Sequence, residues 1–104
     1  MLYEIPVDST VGHQTFEVEL SGASYRIELR WNNRAQAWFI SLYSGTGKPL
    51  LLGRRLVVNT NILRRHRTPE FPPGDLVAVD TTGSNADPGA DEIGKRVKLL
   101  YAEG

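Results

Sequence analysis

Hydrophobic and polar residues alternate most regularly between Tyr25 and Trp31, where Tyr25, Ile27, Leu29 and Trp31 are separated by Arg26, Glu28 and Arg30. A period of two puts the apolar set on one face of a β-strand and the charged set on the other. Thr15 to Leu20 repeats the pattern, with Phe16, Val18 and Leu20 on one face and Glu17 and Glu19 on the other. Ser21 and Gly22 between these runs predict a tight turn, so residues 15–31 read as a hairpin. Asn32 and Asn33 tolerate left-handed backbone and bond locally, which predicts a second reversal. It leads into Ala37–Tyr43, a segment apolar on both faces: Trp38, Ile40 and Leu42 on one, Phe39 and Tyr43 on the other, with Ser41 between them. Such a strand belongs inside a sheet, covered on both sides by its own chain or by a neighbour. Residues 15–43 therefore form a three-stranded antiparallel meander at the centre of the protein.

The flanking segments are shorter and more interrupted. Leu2–Val7 reads as a strand confined to an edge or a start by Pro6, and Asp8–Gly12 as a turn. Gly45 and Gly47 close the meander, Pro49 leads into Leu50–Leu52, and Gly53 marks a bulge or bend before Leu56–Val58. Thr60 is positioned to cap a single helical turn over Asn61–His66, burying Ile62 and Leu63. Three prolines exclude regular structure from Thr68 to Gly74, and Phe71 is expected to pin that segment to the body. Leu76, Val77 and Val79 form a strand ending at Asp80. Thr81–Gly89 is a polar loop long enough to be mobile or to serve an interface. Asp91–Gly94 is a turn, and Val97–Tyr101 a last strand. With 104 residues, no repeat and no linker, one domain spanning residues 1–104 is expected. The fold class is all-β: a small antiparallel barrel or sandwich of about six to eight strands with one short helical turn.

Charge adds a second pattern. Twelve Lys and Arg balance twelve Asp and Glu, which argues against a general nucleic-acid coat. The distribution is uneven. Arg54, Arg55, Arg64, Arg65 and Arg67 fall in a stretch without acids, and Glu70, Asp75, Asp80, Asp87, Asp91 and Glu92 in one without Lys or Arg. Opposite blocks on one small domain suit head-to-tail association, one subunit's positive patch meeting its neighbour's negative one, and equally two independent solvated surfaces. The candidate subunit-contact residues are Arg54, Arg55, Arg64, Arg65, Arg67, Asp80, Asp87 and Asp91.

Candidate chemistry narrows quickly. Cysteine is absent, which removes disulfides, thiolate metal sites and thiol nucleophiles. His13 and His66 lack metal-site spacing and read as exposed loop residues. Gly45-Thr46-Gly47-Lys48 is no phosphate loop, because Leu42 stands where its first glycine belongs and Pro49 follows the lysine. Asp80, Asp87 and Asp91 do not follow the short fixed spacing of a calcium loop, so a solvated or partner-facing loop is expected. No apolar run reaches the roughly 20 residues of a membrane span, and the N-terminus does not read as a secretory leader, so a soluble protein used without export is expected. No catalytic, cofactor-binding or metal-ligating residue is assigned.

The chain resembles the baseplate plug proteins of contractile-tailed bacteriophages, a family first named from a cyanophage. The resemblance starts at Tyr3-Glu4-Ile5-Pro6 and runs through Gln14-Thr15-Phe16 and Ser24-Tyr25-Arg26 to its most specific part, Arg30 to Phe39 (RWNNRAQAWF). It continues in Pro49-Leu50-Leu51, Arg55-Leu56-Val57 and Val79-Asp80-Thr81, and ends in Gly94 to Tyr101. The order and spacing of these pieces carry it. One departure is Thr81-Thr82-Gly83-Ser84-Asn85, less acidic than relatives lead one to expect.

The resemblance implies a non-enzymatic structural part of the virion, without cofactor, assembled in the host cytoplasm. It implies a place near the tail axis, between tail tube and spike, with several copies in a ring or trimer. There the protein contacts hub and tube proteins and helps close the channel. The alternative from the residues alone is a small β-barrel module binding nucleic acid or another anionic ligand through Arg64, Arg65 and Arg67. In that reading Phe39 and Tyr43 stack bases beside Arg26 and Arg30, whereas rings on a doubly apolar strand are more commonly core.

Overall fold

The computed structural model describes residues 2–7, 12–63, 71–82, 89, 93, 94 and 96–102. Among them are seven strands and no helix: β1 (Leu2–Ile5), β2 (His13–Leu20), β3 (Ala23–Asn32), β4 (Ala37–Ser44), β5 (Pro49–Arg55), β6 (Asp75–Asp80) and β7 (Val97–Ala102). They make two antiparallel sheets, one in the order β2-β3-β4-β5 and one in the order β1-β7-β6. The expected meander is present as β2-β3-β4, and β4 is an inner strand, as its two apolar faces require. The all-β architecture is a sandwich.

Local chemistry sets the turns. Ser21 (φ 53°) and Gly22 (φ 82°) both adopt the left-handed conformation, the backbone of the two-residue turn that matches strand twist. The β3–β4 reversal divides its roles differently from the expectation. Asn32 Oδ1 accepts the Ala35 amide at 2.9 Å, whereas the left-handed residue is Gln36 (φ 52°). Its side-chain amide donates back to the Asn33 carbonyl at 2.6 Å. In β5, Leu52 and Gly53 together face the single residue Ser41, a bulge. Gly53 is left-handed there (φ 61°), and its amide donates to Ser41 Oγ at 2.9 Å.

Beyond β5 the backbone groups bond across to strands already formed. Leu56–Val58 is not a strand. The Leu56 amide donates to the Trp38 carbonyl at 2.9 Å, and Val58 forms an isolated bridge to Ala78. Among its described residues, 61–63, the expected helical turn is not seen, because Asn61 bridges Val77 instead. Asn61 Oδ1 accepts the amides of Leu63 and Leu76 at 3.1 Å each, an Asx arrangement that competes with helix. Arg64 to His66 lie outside the described residues. The chain thus crosses from one sheet to the other and covers the outer edge of β6.

The facing sides of the sheets share one core. Ile27, Leu29, Ile40 and Leu42 meet Ile5, Leu76, Ala78, Leu99 and Tyr101, with Leu56, Ile62, Leu63 and Ile93 filling the margins. Each of the Ile and Leu side chains contributes about 1.5–3 kcal/mol on burial. Phe71 packs against this core, as expected. Two large rings tie the layers together with their polar atoms. Trp38 is buried beside Trp31 (centroids 5.7 Å apart), and its indole N–H donates to the Gly89 carbonyl at 2.9 Å. The Tyr101 hydroxyl accepts the Gly74 amide at 2.8 Å and bonds Ser21 Oγ at 2.8 Å, linking the β2–β3 turn to the opposite sheet.

Candidate interaction surface

Register decides what the outer face of the four-stranded sheet presents. Residues opposite one another in an antiparallel ladder point to the same side. One row across that face is therefore His13, Arg30, Phe39 and Arg55, and another is Glu17, Arg26, Tyr43 and Pro49. Between them lie Thr15, Glu28 and Ser41, with the bulged Leu52 beyond. The strand that is apolar on both faces thus sets Phe39 between Arg30 and Arg55, and Tyr43 between Arg26 and Pro49. Both rings are half-buried, and Leu52 is 63% exposed.

Ion pairs order the polar half of this face. His13 Nε2 lies 2.7 Å from Glu28 Oε2, Arg30 approaches the same carboxylate oxygen at 3.9 Å, and Arg26 reaches Glu17 Oε1 at 3.7 Å. All are open to water, and pairs of this kind contribute roughly 0–1 kcal/mol to stability. Their effect is on orientation. Arg26 and Arg30 are directed partly toward acids of their own sheet, so the rings are framed by mixed charge.

The predicted contact residues are distributed unequally. Arg54 and Arg55 sit exposed at the end of β5, Arg55 opposite Phe39 and Arg54 opposite Ile40. Asp80 closes β6 on the other sheet. Its side chain is wholly buried, with Oδ2 3.0 Å from Arg96 Nη1 and Oδ1 accepting the Thr82 amide and hydroxyl at 2.9 and 2.7 Å. Thr81 completes the clamp through its amide and hydroxyl, each 2.8 Å from the Arg96 carbonyl. The carboxylate therefore works within the chain, at the mouth of the loop it precedes. Arg64, Arg65, Arg67, Asp87 and Asp91 lie outside the described residues.

Sequence reasoning missed Arg96 and Leu52. Asp80-Thr81-Thr82 is an Asx-type turn signal, but fifteen positions separate Asp80 from Arg96 and leave the cation open by sequence. Leu52 reads as core until the bulge shifts it outward. Among the described residues no three His, Asp or Glu side chains gather as a metal site would need, and no helix is long and apolar enough to cross a membrane.

A family model described as the cyanophage baseplate Pam3 plug gp18 matches residues 2–104. No curated protein matches the chain. A match over nearly the whole sandwich makes this chain a structural protein of a phage tail baseplate, a virion component that associates with other baseplate proteins. It belongs to the cyanophage baseplate plug family.

Proposed function

We propose that the protein is a non-enzymatic subunit at the tail axis, where hub and tail tube meet, and that it helps plug or adapt the central channel. The family match over residues 2–104 carries this reading. The outer face of the four-stranded sheet supplies a physical means. Half-buried Phe39 and Tyr43 and exposed Leu52 offer apolar contact, while Arg26, Arg30, Glu17 and Glu28 around them give orientation. Such apolar centres with polar rims suit subunit interfaces. Arg54 and Arg55 extend this contact at the end of β5. Arg64, Arg65, Arg67, Asp87 and Asp91 are assigned to further contacts, and Asp80 to holding the base of its loop. Several copies would stand around the axis in a ring or trimer, recruited from the host cytoplasm during assembly.

The test is location together with nucleic-acid affinity. Tails carrying a gold-labelled version of the chain are imaged, and the purified chain is titrated with single-stranded oligonucleotide over a range of salt. The expected result is label on the tail axis at the hub–tube junction and no oligonucleotide binding. Label at the baseplate periphery overturns the assignment. So does steeply salt-dependent oligonucleotide binding, which would favour the anionic-ligand module.

A further inference from the structure

Most sheet edges among the described residues are protected against pairing with another chain. β5 carries Pro49, two register shifts and left-handed Gly53; β6 is covered by bridges from Val58 and Asn61; β1 is four residues long. Prolines, bulges, covering segments and shortness all blunt an edge. Among the described residues β2 has none of them. Its eight residues pair with β3 without a break from His13↔Arg30 to Leu20↔Ala23.

The hydrogen-bonding phase of β2 can be read directly. The Trp31 amide donates to the Gly12 carbonyl at 2.7 Å, continuing the ladder one step beyond His13. Hydrogen-bonded and non-hydrogen-bonded pairs alternate in an antiparallel ladder. The even-numbered residues of β2 therefore bond β3, and the amides and carbonyls of His13, Thr15, Glu17 and Glu19 point away from it. Among the described residues no backbone bond is made on that side.

We propose that this edge docks a second copy of the chain, β2 against β2, antiparallel about a two-fold axis at Phe16. In this register Glu19 meets His13 of the second copy and Glu17 meets Thr15 of the second copy. Every outward-facing residue finds a hydrogen-bonded partner. On the inner side the half-buried Phe16 rings come together at the axis, flanked by Gln14 against Val18. Sliding by one step toward the C-terminal end sets Glu17 on Glu17, a like-charge pair that destabilises. Sliding the other way leaves Glu19 without a described partner. Charge and length therefore select one register. The contact is self-complementary and closes on itself, so it joins two sheets without leaving a regular edge for open-ended growth. This form concerns the free protein and does not rest on the baseplate reading.

Sedimentation equilibrium of the purified chain tests it, with Glu17→Pro and Phe16→Cys as variants. The wild type is expected at twice 11.6 kDa at tens of micromolar. Glu17→Pro removes an outward amide and leaves the β3 ladder whole, so it is expected to weaken the dimer at least tenfold while keeping the β-sheet circular dichroism. In a chain without cysteine, Phe16→Cys is expected to oxidise to a covalent dimer faster than Thr15→Cys or Glu17→Cys. That comparison stands even if Glu17→Pro fails to fold. A monomer throughout the concentration range, which would leave the edge to a foreign strand, overturns the proposal. Trimers or larger masses, a dimer unaffected in folded Glu17→Pro, or fastest cross-linking at another position do the same.

Discussion

Asp80 and Arg96 form an ion pair across the mouth of the loop they flank, Arg96 Nη1 lying 3.0 Å from a carboxylate whose side chain is 0% exposed. The two partners are not equivalent. Asp80 is buried and also holds the Thr82 amide and hydroxyl, whereas Arg96 keeps some contact with water (16% exposed). Removing the cation leaves a buried charge without its counter-ion. Removing the charge leaves an arginine that water can still reach. Arg96→Met is therefore expected to cost about 3 kcal/mol and Asp80→Asn, which preserves an acceptor for Thr82, about 1–2 kcal/mol. Urea unfolding of the two variants checks the order, and equal costs would show that the pair is screened.

Gly74 is required by space. A Cβ there would overlap the Ala102 carbonyl oxygen and lie 2.7 Å from Tyr101 Cζ and Oη, in the place where the Gly74 amide donates to that hydroxyl. Gly74→Ala is expected to cost about 3 kcal/mol by overpacking. At Gly12 a Cβ meets nothing within 4 Å, so Gly12→Ala is expected to stay within about 0.5 kcal/mol. Thermal denaturation of both variants makes the comparison.

Burial, with the nearby Tyr101 as a smaller influence, raises the Tyr25 pKa above its usual 10.0. An acid harder to ionise in the folded state leaves the unfolded chain to lose its proton first. The folded chain then binds more protons, and stability falls with rising pH. The contribution is full below about pH 10 and declines above it. Urea midpoints measured from pH 8 upward are expected to drop more steeply for the wild type than for Tyr25→Phe.

Leu52 is exposed by the bulge in β5, so Leu52→Lys is expected to change folding stability by less than about 0.5 kcal/mol. If the outer face meets other baseplate proteins, the same variant is expected to lower the amount of chain recovered in assembled tails several-fold. Unfolding midpoint and tail occupancy, measured on one preparation, separate the two effects. Unchanged occupancy would remove Leu52 from the contact surface.

What the chain determined by itself is whatever a two-residue period and turn chemistry can encode. Tyr25, Ile27 and Leu29 against Arg26, Glu28 and Arg30, with Ser21-Gly22 behind them, specify the meander, because side-chain alternation and left-handed turns are local properties. The double apolar face of Ala37–Tyr43 also carried the inner place of β4. Tertiary structure decided the rest. Asn61 bonds β6 instead of starting a helical turn, because Leu76 and Val77 offer partners that lie beyond any local window. Arg96 pairs with Asp80 only because β6 and β7 bring the ends of a long loop together. Leu52 faces outward because one extra residue in β5 reverses the side to which it points, and which strand edge is left unpaired among the described residues follows only from how the other edges are covered.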